Sequence, residues 1–143
     1  MRFVLDASVA LAWFLPDESA EGRAYAHRVL ELSRSALAVA VVPPLWHEEV
    51  ADVLLRTRRA RAISAVQFDE ALALLRRLPV ETHVDICAVE ILIERALRYH
   101  LQAYDAVYFD LAHVLRLPIA TLDAGLRTAA RAHGVKLFEP AAA

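Results

Sequence analysis

The sequence predicts an α/β fold, with three α/β/α layers and a central, mainly parallel sheet flanked by helices. The first observation is alternation. Short apolar runs and segments of helical periodicity follow one another along the chain, the pattern of parallel strands joined by helical crossovers. The second is that the runs are apolar at every position rather than every other one, Leu37 to Val42 above all, as strands covered on both faces are. The third is economy of connection. With 3 Gly and 6 Pro in 143 residues, 58% of them hydrophobic, the chain can build a real core and has little material for long loops. No internal repeat, linker or low-complexity stretch divides it, so residues 1–143 are expected to form a single domain.

Arg2 to Leu5 reads as the first buried strand. Asp6-Ala7-Ser8 follows, then a helical run from Val9 to Leu15 that Pro16 ends. Asp17-Glu18-Ser19 opens a second helix, Ala20 to Arg34, with Tyr25, Val29 and Leu32 on one face. A second strand, Leu37 to Val42, is closed by Pro43-Pro44, and Pro44 suits the first position of a third helix running to Arg59. There Leu45, Glu49, Asp52 and Val53 share a face beside the apolar stripe of Trp46, Val50 and Leu54, so Glu49 borders the core and Glu48 turns to solvent.

Ser64 caps a fourth helix through Phe68, Leu72, Leu75 and Leu78, and Pro79 to His83 is a brief extended piece. Asp85 reads as the cap of a fifth helix whose apolar face is Val89, Leu92, Ile93, Ala96 and Leu97. After a short loop, Asp105 stands where the sixth helix, Ala106 to Arg116, begins. Pro118 to Leu122 is a further strand; Asp123 follows it directly, and a helix runs to Ala132 before Gly134 stops it. Val135 to Phe138 is expected to be a last strand, and Pro140 to Ala143 a loose tail.

Composition excludes several chemistries. Cys87 is the only cysteine, which rules out an intramolecular disulfide or a thiolate metal site and fits a reducing, cytoplasmic setting. Residues 9–15 are apolar, but Asp6 and Ser8 interrupt the approach to them and the run is too short for a bilayer. Strand plus helix is the expectation, with a secretory leader as the alternative and no membrane segment. The net charge of −2 does not advertise nucleic-acid binding, nor does it exclude it, because a bound metal can carry the phosphate contact. The basic run Arg56 to Arg61 reads either as favourable charge at a helix C-terminus or as a contact for an RNA backbone. His27, His47, His83, His100, His113 and His133 show no ligand spacing. No Ser-His-Asp order or glycine-rich phosphate loop is visible.

What remains is acidic. Asp6 and Asp123 each follow a buried strand directly; Asp105 begins the helix that feeds the strand before Asp123, and Glu49 lies early in the helix after the second strand. In a parallel sheet such positions converge beyond the strands' C-terminal ends. Singly, each aspartate could be a helix cap and Glu49 an ordinary helix-edge acid. Together at one edge, the carboxylates would repel and raise one another's pKa, a penalty that a hard divalent cation removes. Oxygen-only ligands suit Mg2+, with Mn2+ as a substitute, better than Zn2+. Ser8 and Thr121 are candidates to orient the acids or a water; helix capping and strand filling are their plain alternatives.

The segments Val4-Leu5-Asp6-Ala7-Ser8, Pro43 to Leu54, Tyr104 to Ala112 and Ala120-Thr121-Leu122-Asp123 together resemble the PIN domain, and more closely the VapC toxins of type II toxin–antitoxin pairs. The resemblance runs nearly end to end, and the Tyr-Asp-Ala segment with its spacing to Asp123 is its most specific part. It implies a PIN-like fold and a Mg2+-dependent endoribonuclease that hydrolyses RNA phosphodiesters. It also implies an acidic site at Asp6, Glu49, Asp105 and Asp123, a homodimer, and a VapB-type antitoxin that covers or enters the site. Asp6 and Asp105 are the expected direct metal ligands; Glu49 and Asp123 would act directly or through water. Asp52 stands where such proteins often carry Asn, which would put an extra carboxylate beside Glu49. The antitoxin is expected to present Arg or Lys to the acids and to use an apolar groove near the first helices, with Trp13, Phe14 and Trp46 as candidates. The alternatives are a phosphatase-like domain with Asp6 as nucleophile, which lacks a second acid at Ser8, and a non-catalytic domain whose acidic pocket binds a metal or a partner's arginine.

Overall fold

The computed structural model describes residues 1–16 and 18–140. The expected opening of the second helix at Asp17 and the tail beyond Pro140 lie outside them. Among the described residues the chain forms β1 (Arg2–Leu5), α1 (Ala7–Leu11), α2 (Ala20–Arg34), β2 (Val39–Val42), α3 (Pro44–Arg59), α4 (Ala65–Arg77), β3 (Val80–Thr82), α5 (Val89–Tyr99), α6 (Ala103–Leu115), β4 (Ile119–Ala120) and α7 (Ala124–His133). The strands pair in the order β3-β2-β1-β4, all parallel, and the helices flank this sheet in a three-layer α/β/α fold.

β1 is a central strand, and Phe3, Val4 and Leu5 are completely buried on it, as are Val41 and Val42 on β2. Burial on both faces is why these strands carry no alternation. On α6, Tyr108 and Phe109 close over the sheet, and Phe3 stacks on Phe138 with ring centroids 4.1 Å apart. The register matters most for function. Val4 lies opposite Ile119 and Leu5 opposite Ala120, so the next residues, Asp6 and Thr121, leave the sheet side by side.

Several boundaries differ from expectation. α1 starts two residues earlier and gives way at Ala12 to tighter turns, Trp13 N–H to Ala10 O and Phe14 N–H to Leu11 O. β2 starts at Val39, because Ala36 adopts a left-handed conformation (φ 58°) as the chain leaves α2. The expected strand Val135 to Phe138 contracts to one parallel bridge between Leu137 and Ile119. Asp85 is not a helix cap: α5 begins only after Ala88, and Asp85 belongs to an irregular segment facing Arg95 at 3.9 Å. Asp105 is not a cap either. Gln102 takes that position, which puts Asp105 in the first turn of α6.

Candidate active site

Asp6 has the backbone of an N-cap (φ −75°, ψ 146°), but its side chain does not cap α1. Instead Asp6 Oδ2 accepts hydrogen bonds from Ser8 Oγ at 2.5 Å and Thr121 Oγ1 at 2.7 Å. Those hydroxyls in turn accept main-chain N–H bonds, from Leu122 to Ser8 at 3.0 Å and from Asp123 to Thr121 at 3.0 Å. The end of β1 is thereby tied to the turn after β4, and the carboxylate is held by hydroxyls that are themselves anchored to the main chain. Asp6 is buried, which raises its pKa; the two hydroxyls oppose the rise and the charge of Asp123 adds to it.

Asp123 keeps the cap role read from the sequence. Its Oδ1 accepts the Leu126 N–H of α7 at 2.8 Å. Gly125 leaves it room, since a Cβ there would lie 3.1 Å from that same oxygen. Across the edge, Asp105 is half-buried near the start of α6. Burial, then the charges of Asp123 and Asp6, push its carboxyl up to about 6. Glu49 is half-buried on α3 and also raised: burial, Asp6 and Asp105 push it up, while the Tyr108 hydroxyl, 3.1 Å from Glu49 Oε1, holds it down. The sequence reading missed Tyr108. It is buried, and burial together with Glu49 raises its pKa, so it remains a proton donor. Its spacing of three residues from Asp105 on one helix face was the signal available.

At the C-terminal edge of the sheet, the charges of Asp6 and Asp105 act on Glu49, and those of Asp6 and Asp123 act on Asp105, while Asp123 also acts on Asp6. Among the described residues, no ion pair involves any of them. Nor do three acidic, His or Cys groups close around a common point tightly enough to form a preformed metal cage. Clustered, partly buried carboxylates with oxygen-only donors and no countercharge fit a hard divalent cation. Asp6, Asp105, Glu49 and Asp123 are the groups available to it, with Ser8 and Thr121 orienting Asp6.

Other candidates are left outside. Asp52 is exposed and pairs with Arg56 at 3.0 Å, so it adds no charge beside Glu49. The basic run begins seven residues beyond Glu49, about 10 Å along α3. His47 bonds Thr82 at 2.8 Å, and His133 stacks edge-on to Tyr99. Trp13 and Phe14 line a cleft of about 300 Å³ against Ile63, Ala71 and Leu74, whereas Trp46 is buried and faces a separate cavity between α3 and α4.

A family model described as PIN domain matches residues 3–132. The crystal structure of PAE2754 from Pyrobaculum aerophilum shares the fold, with a TM-score of 0.59 at 16% identity over 90% of this chain and 84% of that one. No curated protein matches the sequence. PIN domains are generally metal-dependent nucleases acting on nucleic acid. The acids at the edge of a parallel sheet therefore sit within a family match covering nearly the whole chain, and the chain belongs to the PIN domain family.

Proposed function

We propose that residues 1–143 act as one domain, a Mg2+-dependent endoribonuclease that serves as the toxin of a VapBC-type pair in the cytoplasm. The observation that supports the nuclease reading is the cluster of Asp6, Glu49, Asp105 and Asp123 at the sheet edge, with no ion pair to any of them among the described residues. Bound Mg2+, or Mn2+ in its place, supplies charge neutralisation at the phosphate and acidifies water. Asp6 and Asp105 are its direct ligands in this reading, with Glu49 and Asp123 engaged directly or through water. Asp6 is oriented by Ser8 and Thr121, which keeps one carboxylate fixed while substrate arrives. Glu49, with its proton affinity raised and its Oε1 held by Tyr108, is the group suited to accept the proton lost by the attacking water.

The partners follow from the same surfaces. RNA is the substrate, and single-stranded loops best allow access to such an edge. A VapB-type antitoxin presents Arg or Lys to the acids and apolar side chains to the cleft beside Trp13 and Phe14. The active form is a homodimer. Among the described residues no helix is long and apolar enough to cross a membrane.

The test is cleavage of RNA by purified, antitoxin-free protein with Mg2+ or Mn2+. Loss of cleavage in EDTA and in Asp6→Asn and Asp105→Asn is expected. No cleavage by wild-type protein, under conditions where those variants do change metal binding, would sink the nuclease reading. Growth arrest on expression, relieved by a small neighbouring DNA-binding protein, tests the toxin assignment separately.

A further inference from the structure

A cavity of about 270 Å³ opens beside the acids, between the start of α3, the outer face of α6 and the segment that follows β3. Its apolar walls are Pro43, Leu45, Leu92, Val107 and Leu111. It shares two helices with the acidic cluster. On α3, Leu45 stands one turn before Glu49 on the same face. On α6, Tyr104, Val107 and Leu111 form the face that lines the cavity, while Asp105 and Tyr108 lie on the adjoining face, about 100° round the helix. Tyr104 is thus both part of the cavity lining and the residue next to Asp105, and it is 67% exposed. A ring left so largely in water adds little to the core.

The polar lining centres on Arg95. Asp110 meets its Nη1 at 2.7 Å and is almost covered, with the side chain 11% exposed. Asp85 approaches the same nitrogen only at 3.9 Å, and its side chain is 62% exposed. One guanidinium therefore faces two carboxylates, and the second is left open to an occupant. The volume lies at the small end of ligand sites, the walls are apolar, and the spare carboxylate disfavours an anion and accepts N–H donors. An unpaired nucleobase meets these demands. Its face stacks on the Tyr104 ring, as bases of single strands do on aromatic side chains, and its edge carries the donors.

We propose that this cavity receives the base of a nucleotide flanking the scissile phosphate, stacked on Tyr104 and accepted at its edge by Asp85. The site rests on the ribonuclease reading given above and deepens it. Adenine, cytosine and guanine each offer Asp85 an exocyclic amino group. Uracil offers only an N–H set between two carbonyl oxygens, which oppose the carboxylate, so uracil is selected against.

The experiment is cleavage of oligouridine RNAs carrying one adenosine, cytidine or guanosine at a set position. The cut should follow that base at a fixed offset, with kcat/KM about tenfold above that of the all-uridine strand. Tyr104→Ala should raise KM about tenfold with kcat changed less than about twofold, and Tyr104→Phe should restore it. Asp85→Asn should narrow the preference over uridine to about twofold. Cuts placed without regard to the base, a KM that Tyr104→Ala leaves unchanged, or a preference that Asp85→Asn leaves unchanged overturns this site and leaves the nuclease standing. If wild-type protein cuts no RNA, the nuclease reading falls and uncharged nucleosides decide the site by themselves. Adenosine titrated into the protein in EDTA should then shift the NMR signals of Tyr104 and Val107, and uridine should not. Signals that adenosine leaves in place, or that uridine shifts equally, overturn the site.

Discussion

Asp105 and Asp110 stand five residues apart on the same helix, and both have their carboxyls raised, burial being the leading cause. Their surroundings differ in one respect. Asp110 meets Arg95 at 2.7 Å, a contact that pulls its pKa back down and pins α5 to α6. Asp105 meets other acids. Helix α6 thus holds one buried acid, Asp110, whose countercharge comes from the fold and one half-buried acid, Asp105, that has none. Burial alone therefore does not open an acid to a metal in this molecule; the lack of a countercharge from the fold is what leaves Asp105 available to one.

The largest expected effect tests the uncompensated member. Asp105→Asn should lower metal-dependent RNA cleavage by about 10³-fold, roughly 4 kcal/mol of transition-state stabilisation, while the metal-free protein melts a few degrees higher. Asp110→Ala should do the reverse. Leaving Arg95 with only its longer approach to Asp85 at 3.9 Å costs about 3 kcal/mol and lowers Tm by about 10 °C, with cleavage by the folded fraction changed by less than about twofold. Thermal unfolding in EDTA beside an RNA cleavage assay checks both. If the two substitutions move stability in the same direction, the contrast fails.

A pH series sharpens it. The folded Asp105 carboxyl titrates at about 6 against a reference of 3.8, so between these values the folded state binds more protons than the unfolded one. Its ionisation therefore opposes folding, and the stability it withholds is recovered as pH falls through 6. In EDTA, the melting temperature of wild type relative to Asp105→Asn should rise by a few degrees from about pH 7.5 to about pH 5. A flat difference would mean that Asp105 is ordinarily solvated. The smallest effect belongs to Tyr108→Phe. Removing the bond to Glu49 should reduce cleavage about 5- to 10-fold and cost about 1 kcal/mol of stability, and equal activity would remove Tyr108 from the site.

The outline of the fold and the positions of the acids were legible in the sequence because both depend on local pattern. Asp6 and Asp123 follow strands whose burial shows in their composition, and Glu49 borders an apolar helix stripe. What was not legible depends on which elements touch. Asp85 looks like a cap because it precedes an apolar face; that it turns to Arg95, leaving α5 to start at Val89, is a consequence of α5 packing on α6. Asp52 shares a nominal face with Glu49, yet Arg56 one turn away draws it to solvent. Tyr108 reads as core, and only the approach of α3 to α6 makes its hydroxyl a partner for Glu49. Chain-end strands were over-read for the same reason: Val135 to Phe138 has strand composition, but a two-residue β4 offers little ladder to extend.

That short β4 has a temporal consequence. The bonds fastening it to β1 at the acidic edge run from Thr121 to Asp6 and from Leu122 to Ser8, across 115 and 114 residues. Contacts of such separation close only once both ends of the chain are available. During synthesis at about 5–20 residues per second, Asp6 emerges 115 residues ahead of its hydroxyl partner Thr121 and waits that long before Thr121 and Asp123 arrive. A nascent chain that has not yet reached Thr121 therefore carries no assembled acidic edge, and a chain cut short before Thr121 cannot complete one.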